Sequence, residues 1–156
     1  MAARSRPVEQ PAERVLVITR VFDAPPSLVF KVWTQPEHLA RWWGRRGFTI
    51  LSYEADVRAG GAFRFGMRSP EGSEHWAHGV YREVVPPDRL VFTTAWEDAD
   101  GTPKHETLVT LTFAEQDGKT RLTLHQALFE STTSRDLHEG GWSSTLELLA
   151  EYLATI

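Results

Sequence analysis

The stretch TTSRDLHEGGWSSTLELLAEYL, residues 132–153, decides the fold, because it predicts one long amphipathic helix near the end of the chain. Its apolar residues recur at the spacing of one helix face: Trp142, Leu146, Leu149 and Leu153. A capping-box pattern at Thr133 and Asp136 predicts where the helix begins. Gly140 and Gly141 cost about 1 kcal/mol each against alanine in a helix. We therefore expect a kink there, or a close approach of the helix to a sheet or a ligand.

The sequence that precedes this helix alternates apolar and polar residues, which is the pattern of β-strands. Six such stretches cover residues 48–57, 61–69, 74–85, 89–97, 106–115 and 120–130. The links between them are short and rich in Gly, Pro, Asp and Ser, so neighbouring strands are expected to be antiparallel. A seventh strand is predicted at residues 14–22, and the pattern leaves its partner in the sheet open.

Two short helices are predicted after the first strand, at SLVFKVWT (27–34) and PEHLARWW (36–43). Residues 1–13 predict a flexible leader, and residues 14–156 predict a single domain. A long amphipathic helix that follows a meander of strands can bury its apolar face only across the concave side of the sheet. The prediction is an α+β helix-grip fold, in which a curved antiparallel sheet of about seven strands surrounds the C-terminal helix.

Composition excludes several classes of function. The chain has 156 residues, a formal net charge of -4 and no cysteine. The negative charge argues against nucleic acid as a partner, and the lack of cysteine excludes disulfides and thiolate chemistry. No apolar run approaches the roughly 18 residues that span a bilayer, and no secretory signal opens the sequence. We expect a cytoplasmic protein, a monomer or a homodimer, with no membrane insertion and no cofactor.

Aromatic residues supply the candidate binding site. The chain contains six Trp and eight Phe, and many of them alternate along neighbouring strands. If Phe63 and Phe65 share the concave face with Trp76 and His78, the sheet and the helix enclose an aromatic cavity with one titratable group. The candidate ligand-binding residues are Trp43, Phe63, Phe65, Trp76, His78, Phe92, Trp96, Trp142 and Leu146.

Metal binding and nucleophilic catalysis find little support. His75 and His78 lie three residues apart on a predicted strand, which points their side chains to opposite faces, and no other histidine spacing indicates a metal site. The chain has no G-x-S-x-G element. The catalytic residues of any reaction are therefore unknown, and whether the protein is an enzyme stays open at this point.

A set of short motifs resembles a known superfamily. They are Phe22-Asp23-Ala24-Pro25, Val29-Phe30, Trp33-Thr34-x-Pro36-Glu37-His38-Leu39, Trp42-Trp43-Gly44, Asp56-x-Arg58-x-Gly60-Gly61, Gly79-x-Tyr81, Pro86-Pro87-x-Arg89-Leu90, Thr120-Arg121-Leu122-Thr123-Leu124 and Gly141-Trp142. Together they resemble the SRPBCC (START-like) superfamily over residues 14–154, and within it the branch named after the heat shock protein 90 ATPase activator. The resemblance implies a helix-grip fold with an internal cavity.

The resemblance also implies three alternative functions, since relatives include small-molecule carriers, cyclase-like enzymes and a co-chaperone domain. The leading hypothesis is binding of a small hydrophobic or aromatic molecule in the cavity. The second is an enzyme that uses His78 or His125 with an acidic group. The third is a module that contacts a heat shock protein 90 homologue and stimulates its ATPase. The eukaryotic co-chaperone carries an extra N-terminal domain where this sequence shows only a short leader, which argues against the third alternative.

Overall fold

Seven strands form one antiparallel sheet in the computed structural model, which describes residues 14–156. The strands are β1 (Leu16–Phe22), β2 (Thr49–Ala55), β3 (Ala62–Arg68), β4 (Glu74–Val85), β5 (Arg89–Trp96), β6 (Thr107–Gln116) and β7 (Lys119–Ala127). The helices are α1 (Pro26–Thr34), α2 (Pro36–Trp42) and α3 (Thr132–Leu153). The predicted leader, residues 1–13, lies outside the described residues.

The order of the strands in the sheet is β1-β7-β6-β5-β4-β3-β2. The six later strands form the predicted meander, and β1 closes it by pairing antiparallel with β7, from Leu16 opposite Gln126 to Phe22 opposite Thr120. The curved sheet around a long C-terminal helix, with two short helices after β1, confirms the predicted α+β helix-grip fold.

Two prolines define the short helices. Pro26 and Pro36 occupy the first turns of α1 and α2, where a missing backbone N–H costs nothing. The two helices pack together through Trp42, whose indole Nε1 donates a 3.0 Å hydrogen bond to the carbonyl of Val32. This packing fixes the end of α2, so that the next residue, Trp43, lies against the aromatic side chains of the sheet.

Helix α3 is anchored mainly through its C-terminal half. Leu146, Leu149 and Leu153 are buried, whereas residues 132–143 are half-buried or exposed. The helix begins at Thr132 because Ser131 caps it, with its hydroxyl accepting a 3.0 Å hydrogen bond from the backbone N–H of Ser134. The predicted capping box at Thr133 was therefore placed two residues too late. Among the described residues, none of the helices is long and apolar enough to cross a lipid bilayer.

Candidate ligand-binding cavity

A cavity of about 420 Å³ lies between the N-terminal half of α3 and the concave face of the sheet. The sheet contributes Phe63, Phe65, Met67, Phe92, Thr94, Ala95, Trp96, Thr107 and Gln126. The remaining lining residues are Trp43, Gly44, Arg45, Lys104, His105, Glu130, Ser134, Leu137, His138, Gly141, Trp142 and Thr145. Pockets that bind small molecules commonly measure about 300–1,000 Å³ and have mostly apolar walls. This cavity matches them in size and in chemistry.

The apolar wall is a continuous set of edge-to-face aromatic contacts. The Trp43 ring lies 5.5 Å from Phe65 and 5.6 Å from Trp142, so it joins the sheet to the helix. Phe65 in turn lies 5.8 Å from Trp96. Edge-to-face pairs at these separations are attractive beyond the area that they bury, so the rings hold one another in place. The wall is consequently preformed, with flat faces available to a ligand.

One end of the cavity carries a buried polar chain. The Gln126 side chain is fully buried, and its amide Nε2 donates a 2.8 Å hydrogen bond to the hydroxyl of Thr107. Its Oε1 accepts a 2.7 Å hydrogen bond from the indole Nε1 of Trp142. An indole nitrogen can only donate, so this contact fixes which side of the amide is the oxygen. The chain connects β6, β7 and α3 beside the space for a ligand.

The second polar contact lies where α3 meets β5. The His138 Nδ1 lies 2.8 Å from the carbonyl oxygen of Ser134, which can only accept, so Nδ1 carries the hydrogen. The other ring nitrogen, Nε2, then accepts a 3.3 Å hydrogen bond from the indole of Trp96. Both ring nitrogens of His138 therefore have a partner. The imidazole attaches the first turns of α3 to the sheet.

The structure excludes two of the roles that the sequence suggested for Gly141, a kink and a close approach of α3 to the sheet, and a close approach to a ligand stays a prediction. Helix α3 is continuous through both glycines, and a Cβ atom added at Gly141 would meet no other atom within 4 Å. A Cβ atom at Gly140 would lie 3.7 Å from the guanidinium of Arg45. Gly141 lines the cavity, so close contact with the sheet does not explain why this residue has no side chain. The missing side chain leaves room in the cavity.

Six of the nine predicted ligand-binding residues line the cavity: Trp43, Phe63, Phe65, Phe92, Trp96 and Trp142. Leu146 lies in the hydrophobic core below it, with 1% of its surface exposed. Whether any of these residues contacts a ligand stays a prediction.

The expectation that Trp76 and His78 share the face of Phe63 and Phe65 is wrong. In the β3–β4 register Phe65 stands opposite Ala77, whereas Trp76 stands opposite Gly66 and His78 opposite Arg64. Directly opposite residues point to the same side of a sheet, so Trp76 and His78 lie on the outer face. The Trp76 ring covers Gly66, where an added Cβ atom would be only 2.5 Å from the indole.

An ion-pair cluster surrounds these two residues on the outer face. Arg64 donates to both carboxylate oxygens of Glu97 at 2.9 Å, and the Nδ1 of His78 lies 2.8 Å from the same carboxylate. The guanidinium of Arg64 also lies 4.2 Å from the centre of the Trp76 ring. The hydrogen bonds from Arg64, assisted by His78, lower the pKa of Glu97 to about 2. His78 is thus engaged in a surface cluster outside the cavity.

The polar lining residues are not among the nine predicted ligand-binding residues, although the sequence carries a signal for two of them. Leu122 and Leu124 are the inward-facing residues of β7, and Gln126 continues their alternation as a polar residue. Thr107 has the same relationship to Val109 and Leu111 on β6. Polar residues in an otherwise apolar series mark either buried hydrogen bonds or a cavity. His138 gives no comparable signal, because the exposure of the N-terminal half of α3 depends on the tertiary structure.

No cluster of three or more His, Asp or Glu side chains that could hold a metal ion occurs within residues 14–156.

Comparisons with known proteins give a family and a set of related structures. The family of "Activator of Hsp90 ATPase homolog 1-like protein" matches residues 23–154. The AHSA1 protein from Silicibacter pomeroyi is 29% identical with a TM-score of 0.82, and the match covers 90% of this chain and 98% of that one. A protein from Nitrosomonas europaea is 28% identical with a TM-score of 0.78, over 92% of this chain and 96% of that one.

A third structure, from Chromobacterium violaceum, is 28% identical with a TM-score of 0.78 and covers 88% of this chain and 95% of that one. A comparison with curated proteins finds no match. The family match extends over both short helices, all the strands from β2 to β7 and α3. The chain belongs to the family of activator of Hsp90 ATPase homolog 1-like proteins.

Proposed function

We propose that the protein binds a small apolar or aromatic molecule in the cavity between α3 and the sheet. The observation that carries this proposal is the space itself: about 420 Å³ with an aromatic wall, onto which Gly141 opens with no atom near its Cβ position. A fold selected only for stability would cover these aromatic side chains, because apolar surface left in contact with water costs about 25 cal/mol per Å². An unfilled volume beside a helix glycine is therefore better explained by a ligand.

Binding is better supported than catalysis. The two histidines considered as acid–base groups do not line the cavity: His78 pairs with Glu97 on the outer face, and His125 is exposed opposite Val17. His138 and His105 do line it, but both ring nitrogens of His138 are engaged, with Ser134 and Trp96. His105 is exposed, and its Nε2 contacts the carbonyl oxygen of Leu128. A general base needs a nitrogen within reach of the substrate proton. The cavity therefore presents surfaces for recognition more clearly than groups for proton transfer.

A fluorescent-probe titration tests the proposal. N-phenyl-1-naphthylamine is neutral, aromatic and bright only in apolar surroundings, so its emission reports entry into the cavity. We expect the wild-type protein to bind it saturably. The Gly141→Leu variant should bind it at least about tenfold more weakly, a change of about 1.4 kcal/mol, because the new side chain occupies the cavity.

Ala150→Leu is the control, because it adds a leucine side chain to α3 at an exposed position outside the lining. Circular dichroism and urea denaturation of both variants establish that the fold is retained. Equal affinity of the wild type and the Gly141→Leu variant would place the probe elsewhere, and no saturable binding by the wild type would contradict the proposal.

A further inference from the structure

Two exposed cations belong to the cavity lining. Arg45 and Lys104 both line it, and Glu130 is the single acidic residue among the lining residues of the described chain. Within the described residues, neither cation takes part in an ion pair. In a protein of net charge -4, this opening is therefore locally rich in positive charge.

Arg45 differs from its two basic neighbours. Arg46 forms ion pairs with Glu147 and Glu151, and Arg41 lies over the ring of Tyr152, 5.6 Å from its centre. Arg45 instead reaches α3 beside Gly140, where a side chain would come within 3.7 Å of its guanidinium. The absence of a side chain at Gly140 thus leaves room for the guanidinium of Arg45 next to the cavity.

Both cations lie close to the contact between α3 and β5. Lys104 is held there by its backbone N–H, which donates a 2.7 Å hydrogen bond to the carbonyl of Trp96. The Trp96 indole in turn contacts His138, half a helical turn before Gly140. The first turn of α3 contains no acidic residue, and its Ser134 also lines the cavity, so the positive end of the helix dipole adds to the same field.

We propose that the ligand is an organic anion, with an aromatic or otherwise apolar body inside the cavity and one acidic group at the opening near Arg45 and Lys104. This inference rests on the proposed function, since it names the class of molecule for the same site. A charged group cannot enter the aromatic interior without losing its hydration, which is costly when no partner replaces water. At the opening it remains partly hydrated and gains two charge-assisted contacts.

A matched pair of probes tests this assignment. 8-Anilinonaphthalene-1-sulfonate is N-phenyl-1-naphthylamine with one added sulfonate, so the two differ only in the acidic group. We expect the wild-type protein to bind the anionic probe more tightly than the neutral one. The double variant Arg45→Gln, Lys104→Gln should lower the affinity for the anionic probe by about tenfold or more and the affinity for the neutral probe by less than about twofold.

The control variant is Lys119→Gln, Arg121→Gln, which removes the same charge from exposed positions outside the cavity. It should leave the affinity for both probes unchanged. The anion assignment is wrong if both probes bind the wild type equally well. It is also wrong if the control lowers the affinity for the anionic probe as much as the cavity variant does. In both cases the proposed function stands. If neither probe binds saturably, both fail.

Discussion

The indole Nε1 of Trp142 and the amide oxygen of Gln126 lie 2.7 Å apart, and this hydrogen bond joins helix α3 to strand β7 across the end of the cavity. Both residues are held from a second side, Gln126 by Thr107 and Trp142 by the ring of Trp43. The contact therefore contributes both to the stability of the fold and to the shape of the cavity. Mutations can separate these two contributions.

Replacement of Gln126 by leucine should lower the free energy of unfolding by about 1–3 kcal/mol. The change keeps the side chain at a similar size but leaves the indole of Trp142 and the hydroxyl of Thr107 without their buried partner, which has a cost of that order. Urea denaturation measures the difference. In a Trp142→Phe background the same replacement should lower the free energy of unfolding by less, because only the hydroxyl of Thr107 then loses a partner. An equal loss in both backgrounds would show that the hydrogen bond between Trp142 and Gln126 is not formed.

The Arg64–Glu97–His78 cluster predicts a pH dependence. Its hydrogen bonds lower the pKa of Glu97 from the ordinary 4.5 to about 2, so the folded protein holds this carboxylate ionised more strongly than the unfolded chain does. The resulting stability is fully present above about pH 4.5 and is lost as the pH falls from there towards 2. The difference in urea midpoint between the wild type and Glu97→Gln should follow this course.

Glu83→Gln is the control for that experiment, because the Glu83–Arg89 pair is exposed on both sides, with 49% and 43% of the two side chains accessible. Exposed pairs contribute about 0–1 kcal/mol. A pH-independent difference between the wild type and Glu97→Gln would contradict the cluster as described.

Gly79→Ala should destabilise the protein strongly, by about 3 kcal/mol or more. The added Cβ atom would lie 1.8 Å from the backbone carbonyl oxygen of Thr93 and 2.7 Å from the ring of Phe63. A backbone atom cannot move aside as a flexible side chain can, so β4 and β5 would have to separate. Thermal or urea unfolding measures the loss, and a change below about 1 kcal/mol would exclude this packing.

Replacement of Gly141 by alanine should instead stabilise the protein. Alanine is favoured over glycine in a helix interior by up to about 1 kcal/mol, and no atom stands within 4 Å of the new methyl group. We expect Gly141→Ala to raise the urea midpoint and to reduce the affinity for N-phenyl-1-naphthylamine slightly. A lower midpoint would mean that α3 packs closely at this residue.

Much of the fold could be predicted from local patterns. The prolines at 26 and 36 located the short helices, and the alternation of apolar residues located every strand to within three residues of its observed ends. Local patterns did not predict the side of the sheet to which a side chain points where that side depends on a cross-strand neighbour. Trp76 was expected inside because aromatic residues alternate along the neighbouring strands, yet the missing side chain of Gly66 makes a place for it on the outer face.

The candidate site was less predictable than the fold for a related reason. The aromatic wall could be found because apolar residues dominate the inward positions of β3 and β5. The charges at the opening could not, because Lys104 and Arg45 lie in connections whose path is set by tertiary contacts. Arg45 and Arg46 are adjacent in the sequence and have the same charge, and they differ only in the structure, where Arg46 pairs with Glu151.

The uneven anchoring of α3 has a consequence for the evolution and engineering of this scaffold. Leu146, Leu149 and Leu153 hold the helix in the core, whereas Ser134, Leu137 and Gly141 face the cavity from the less buried half. Combinatorial variation at the second group can therefore reshape the cavity while the first group keeps the domain foldable. A randomised library at those three positions is a compact route from this chain to binders of new small molecules.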